Sequence, residues 1–149
     1  MSENTMLLLL KQDKNLEYQA YLALVSAQQE LQSYYKQLEE IERYRLDYFS
    51  QMLERGKIGL SSSSFGHLNR FIIQLDKTLA KQHQGAIYFE DNVERCREHW
   101  QHCLKKTRSL EWLIEKCQKE AKIRAERLEQ KQLDEFSMLI FIRKQHKSY

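Results

Sequence analysis

The stretch that decides the fold is RGKIGLSSSSFG, from Arg55 to Gly66, where two glycines and a run of serines follow one another. Gly just past a helix end accepts the left-handed backbone that closes it. A Ser hydroxyl at the next start accepts from the free N–H groups of the following helix. A helix over about 4–55, a turn over about 56–63 and a second helix over about 64–143 follow from that stop-and-start chemistry. Elsewhere breakers are scarce: the 149 residues include no Pro and 4 Gly, where average usage would supply roughly 7 and roughly 10. With 42% hydrophobic and 30% charged residues, the chain is too apolar for a disordered tail, and so few turns exclude β-sandwiches and α/β enzyme folds. Gly85 falls inside the second helix, where it costs about 1 kcal/mol relative to Ala.

Downstream of the turn the apolar spacing is regular. Steps of seven from Ile72 reach Leu79, Ala86, Val93, Trp100, Thr107, Ile114, Ala121 and Leu128. Three residues beyond each of the first seven stand Leu75, Gln82, Phe89, Cys96, Cys103, Leu110 and Cys117. Upstream, the matching seam is Leu24, Ala27, Leu31, Tyr34, Leu38, Ile41, Arg45, Tyr48 and Met52. Two seams with a 3.5-residue spacing wind into a left-handed coiled coil, and a short turn makes the helices antiparallel neighbours. The expected fold is all-α, one long antiparallel two-helix coiled-coil hairpin spanning residues 1–149.

The two arms are unequal. At 1.5 Å per residue, helix 1 extends roughly 75 Å and helix 2 roughly 120 Å. Pairing back from the turn sets residue 5 opposite approximately residue 112, which leaves about thirty residues of helix 2 without an intrachain partner. That stretch still holds Leu113, Ile114, Leu128, Leu133, Phe136, Leu139, Ile140, Phe141 and Ile142. Its options are to fray, to dimerise or to enter another protein.

The net charge of +3 sits at the same end, because residues 113–149 hold 9 basic against 6 acidic side chains and the rest of the chain is balanced. This excess is weaker than a usual nucleic-acid footprint. Three Cys, an odd number without disulfide-scaffold density, fit a reducing compartment, and the apolar run from Met6 to Leu10 is too short to span a bilayer. The reading is a cytosolic protein. Cys96, His99, His102 and Cys103 invite a metal reading, but at about 100° per residue His102 lies about 120° from Cys96, so four ligands do not converge. The Cys residues also occupy seam positions, where Cys packs as a small hydrophobe. With no phosphate loop, nucleophile elbow or zinc-protease motif, no metal, cofactor or enzymatic activity is expected.

One constellation points to binding. Beside the helix 1 seam, Gln37, Ile41, Tyr44 and Tyr48 form a stripe at g and d heptad positions, and Phe71, Leu75, Thr78 and Gln82 repeat it on helix 2. In an antiparallel hairpin both lie at similar heights near the turn. The residues leave two readings open: an exposed apolar patch that receives a protein, or a wide core.

The succession Tyr44-x3-Tyr48, the Gly56 to Ser64 turn, Phe71-Ile72-x2-Leu75-Asp76, Gln82, Trp100 and Glu129-x-Lys131-x2-Asp134-Glu135-Phe136 resembles the FliJ family of flagellar type III export, over about residues 16–136. Injectisome stalk proteins are similar in architecture, and a stalk protein of injectisome type III secretion is the alternative within that class. The resemblance implies a hairpin like the central stalk of rotary ATPases. It also implies a cytoplasmic component of the export apparatus, peripheral to the inner membrane, that links the hexameric export ATPase to the cytoplasmic domain of the export gate and recycles export chaperones. The family's gate-binding surface falls on Gln37, Ile41, Tyr44, Tyr48, Phe71, Leu75, Thr78 and Gln82. Thr78 stands where a smaller side chain is common, Gln82 where the family has His, and the Leu7 to Leu10 run departs from the family. ATPase-ring contacts are implied at Leu128, Lys131, Asp134, Glu135 and Phe136. The alternative from another class is a basic coiled-coil arm for nucleic acid, whose binding would weaken steeply with salt.

Overall fold

The computed structural model describes residues 2–59 and 61–147. Two helices account for nearly all of them: α1, Glu3–Ile58, of 56 residues, and α2, Ser62–Lys147, of 86 residues. Both begin with the same capping chemistry. The Ser2 hydroxyl accepts from the Thr5 N–H at 3.2 Å, and the Ser61 hydroxyl accepts from the Ser64 N–H at 3.3 Å, each satisfying a donor that the first helical turn leaves free.

The break between the helices is tighter and later than the expected turn over 56–63. Gly56 and Lys57 remain helical, and the backbone reverses hand at Gly59, whose φ is +93°. A helix ends where the left-handed residue stands, and only the second glycine of the cluster adopts that conformation. Start and end also extend further than expected, to Glu3 and Lys147.

The chain divides into two compact units, each built from a segment of both helices: Leu16–Cys103, and Met1–Asn15 with Leu104–Tyr149. In the unit Leu16–Cys103, α1 and α2 pack antiparallel, since rising numbers in α1 meet falling numbers in α2. Tyr21 faces Trp100 with ring centroids 6.1 Å apart, Tyr34 faces Phe89 at 4.7 Å and Tyr48 faces Phe71 at 4.6 Å. Leu24, Ala27 and Val93 form the buried cluster, with Leu31, Cys96 and Trp100 packed against it. Ala20, Leu38, Ile72, Leu79 and Ala86 continue the buried seam. Arg45, a cation at a seam position, is half-buried and pairs with the Asp76 carboxylate.

The second unit is also antiparallel. Gln118 donates from Nε2 to Glu3 Oε1 at 2.9 Å, and Lys106 and Asp13 pair at 3.8 Å. Met6, Thr107 and Ile114 are its buried side chains. The pairing of Glu3 with Gln118 replaces the expected match of residue 5 with residue 112, because the reversal falls at Gly59. Ile114, expected in the unpartnered stretch, is therefore a core residue. Every residue from Gln118 to Lys147 is exposed.

Gly85 has a packing reason. The Tyr34 hydroxyl donates to the Gln82 carbonyl at 2.6 Å, and that places the phenol so close to Gly85 that a Cβ there would collide with its oxygen. Gly85→Ala is expected to lower the melting temperature although Ala is the better helix former by about 1 kcal/mol. The lost hydrogen bond (about 1 kcal/mol) and disturbed ring stacking (about 0.5–1.5 kcal/mol) outweigh that gain. Adding Tyr34→Phe, which removes the colliding oxygen, should raise the melting temperature of Gly85→Ala in a circular dichroism melt. A double variant no more stable than Gly85→Ala would show that the collision is not the cause.

Candidate functional site

The double stripe near the turn lies within the unit Leu16–Cys103, and its members divide by heptad position. The g residues of α1, Gln37 and Tyr44, are exposed, Tyr44 to 60%. Its d residues, Ile41 and Tyr48, are half-buried. On α2, Phe71 at g is 44% exposed, while Leu75, Thr78 and Gln82 are half-buried. The edge-to-face contact of Tyr48 with Phe71, interplanar angle 63°, joins the two stripes across the helices. Such a pair is worth about 0.5–1.5 kcal/mol beyond its buried area. Neither reading of the sequence holds alone: the d residues and Thr78 belong to the core edge, and the g residues Gln37, Tyr44 and Phe71 remain accessible beside them.

Two polar groups of this face are bonded within the protein: the Thr78 hydroxyl donates to the Gln74 main-chain carbonyl of its own helix at 3.0 Å, and the Gln82 main-chain carbonyl accepts from the Tyr34 hydroxyl. Further along the same flank, Tyr34, Gln37 and Phe89 border a shallow groove with Ser33 and Glu30. The e flank is different in kind. There Tyr35 donates to the Glu90 carboxylate, His83 stands 3.4 Å from Glu42, and Arg45 reaches Asp76, itself at e. The hydrogen bond to Glu90, with smaller contributions from burial and from the Glu90 charge, raises the Tyr35 pKa above that of an ordinary phenol. The e flank is thus laced by polar cross-links between the helices, and the g flank is joined by an aromatic contact instead.

Several apolar side chains that periodicity does not single out are also exposed near the turn, including Leu46, Phe49, Leu53, Phe65 and Ile73. They stand off the seam, so only the pairing of the helices reveals them.

The residues at which the resemblance implies ring contacts lie in the other unit. Leu128, Lys131, Asp134, Glu135 and Phe136 are all exposed on the part of α2 beyond Gln118, and Asp134 accepts from Gln130 at 3.0 Å. Trp112, also exposed, carries Lys116 over its ring at 5.3 Å.

His99 and Cys103 come within 3.8 Å of each other, a turn apart on α2. Among the described residues no group of three or more His, Cys, Asp or Glu side chains is placed to hold a metal ion. No helix among them is long and apolar enough to cross a membrane.

The described residues form two long antiparallel helices with an accessible aromatic flank near the turn, and α2 extends past its last contact with α1. The family described as "Flagellar FliJ protein" matches residues 2–146, and the chain belongs to the FliJ family. It is accordingly a component of flagellar type III export, in a family of structural components rather than known enzymes. Neither a curated protein nor a solved structure matches the chain closely enough to count as a relative.

Two nearby ligands are too few for a structural zinc site, which takes four. Purified protein is expected to contain no stoichiometric zinc, and chelator should leave its melting temperature unchanged. One tightly held equivalent by elemental analysis would overturn this.

Proposed function

We propose that the chain is a non-enzymatic stalk and adaptor of the flagellar export apparatus. It links the hexameric export ATPase to the cytoplasmic domain of the export gate and escorts and recycles export chaperones. The observation that carries this reading is the aromatic flank near the turn, where Tyr44 and Phe71 stay accessible after the hairpin has formed. A protein partner gains most from large, rigid rings that need no rearrangement to be covered, and truncating such anchors typically costs about 2 kcal/mol or more of binding. The gate would contact Gln37, Ile41, Tyr44, Tyr48, Phe71, Leu75, Thr78 and Gln82. Leu128, Lys131, Asp134, Glu135 and Phe136 would face the inside of the ATPase ring.

The gate contact is tested by titrating the gate's cytoplasmic domain against Tyr44→Ala and Phe71→Ala, with melts of each variant alongside. Each is expected to weaken binding about thirtyfold, the equivalent of about 2 kcal/mol, with little loss of helix. Tyr48→Ala and Leu75→Ala should lower the melting temperature as well, since both side chains also belong to the seam edge. Parent-like binding by both g variants removes the flank from the contact.

The ring contact is tested by deleting the chain after Gln118, which spares every cross-helix pair described above. The ring contact predicts that the parent raises turnover by the export ATPase and that the deleted chain, though folded, does not. Unchanged turnover would refute a role for the unpaired helix.

A further inference from the structure

Beyond the ring contacts, the last turns of α2 carry a feature that a stalk seam does not explain. Met138, Leu139, Ile140, Phe141 and Ile142 are consecutive, and all are exposed, by 40–66%. At about 100° per residue, five successive side chains go round the whole helix. A coiled-coil partner or a protein groove covers one stripe and would leave the others in water. What covers all sides of a short apolar helix is a medium rather than a face. Arg143, Lys144, His146 and Lys147 follow immediately, and no Asp or Glu occurs after Glu135. Arg143 and Lys147, four residues apart, share one side of the helix.

We propose that this segment, Met138 to Lys147, is an interfacial anchor for an anionic lipid surface. The apolar residues enter the boundary between head groups and acyl chains, and the long Arg and Lys side chains reach back to the lipid phosphates. Apolar burial joined to attraction for anionic lipid is the pairing that holds peripheral helices in an interface. The run is far shorter than a bilayer is thick, and no described helix meets the requirements of a span, so the end of the helix sinks into the head-group boundary, where lipid surrounds it on all sides, and does not cross the bilayer. Snorkelling lets a basic side chain keep its charge in water while its stem lies along lipid. The proposal goes beyond the stalk reading: Met138 follows Phe136, the last ring-contact residue, by two positions, so the segment takes lipid when this end of α2 is not inside the ring.

The test is flotation of the full-length chain with vesicles of phosphatidylglycerol and phosphatidylethanolamine, and with vesicles of phosphatidylcholine alone. The parent should bind the anionic vesicles at least fivefold better than the neutral ones, and binding should fall as salt is raised. Leu139→Asp with Phe141→Asp should reduce anionic binding at least fivefold while the far-ultraviolet dichroism of the chain is unchanged. Arg143→Gln with Lys147→Gln should abolish the preference for anionic lipid. Failure of the parent to float with anionic vesicles overturns the proposal, as does equal binding by the Asp variant. A parent that does not float, but whose Asp variant loses ATPase stimulation or self-association, places a protein on the segment instead of lipid. Stimulation of the ATPase by the parent is measured separately, so a failed anchor leaves the stalk reading standing.

Discussion

Two helices packed only against each other can hide from water only the side chains that point between them. No third layer covers the outer faces, so stability rests on one seam of a and d residues, and everything else on the surface stays available. Among the described residues the buried apolar side chains of the unit Leu16–Cys103 are Ala20, Leu24, Ala27, Leu38, Ile72, Leu79, Ala86 and Val93, all seam-facing. Small residues recur among them. Where Tyr34 brings a ring to the seam, α2 answers with Gly85, and the phenol finds its hydrogen bond on the Gln82 carbonyl. Size complementarity across a single seam replaces the deep core that a globular domain would use.

That constraint decides where binding chemistry can sit. A residue in the middle of the seam cannot be given to a partner without opening the hairpin, and a residue on the far outer face stands alone. The flanks are the compromise: Tyr48 and Leu75 lend half of their surface to the core, while Tyr44 and Phe71 beside them remain open. The two flanks diverge in chemistry, with Tyr35, Glu42 and Asp76 drawn into polar contacts across the helices on one side. Exposed ion pairs of this kind contribute little stability, about 0–1 kcal/mol each. They give the e flank a polar character beside the exposed rings of Tyr35 and Phe49, whereas the aromatic pair that joins the two helices near the turn, Tyr48 with Phe71, opens on the g flank.

Much of this is legible in the sequence for a physical reason. When only a seam is buried, the seven-residue spacing from Ile72 onward is nearly the whole folding signal, and the scarcity of Gly and Pro leaves one place to reverse. The register is harder to read. A seam that repeats every seven residues looks alike after sliding along itself, so pairing depends on where the chain turns, and Gly56 and Gly59 are equivalent as letters. The backbone chooses Gly59. That choice moves Gln118 opposite Glu3 and draws Ile114 into the core. The stripe near the turn is found from heptad position alone, because the same geometry that defines the seam defines its flanks. The division of its members into half-buried and open depends on side-chain contacts such as Tyr48 with Phe71, which letters do not carry. Gly85 reads as a defect in a helix until the ring that lies over it is known.

The unpaired part of α2 raises a question of its own, since an isolated helix in water is marginal and its cost is concentrated in the first turn. Here that nucleus is already made: α2 is held against α1 as far as Gln118, and the chain beyond it need only propagate, one hydrogen bond for each residue fixed. Local pairs assist where the extension begins and along it, as Lys119 with Glu115 at 3.6 Å and Gln130 with Asp134 at 3.0 Å, each worth a few tenths of a kcal/mol. The extension can therefore display Leu128, Leu133 and Phe136 as formed helix before any partner arrives. A partner then need not supply the entropy of ordering the segment, a cost that a disordered tail must meet on binding. The paired seam, which binds nothing itself, does its work for the unpaired helix by holding it in the conformation that a partner meets.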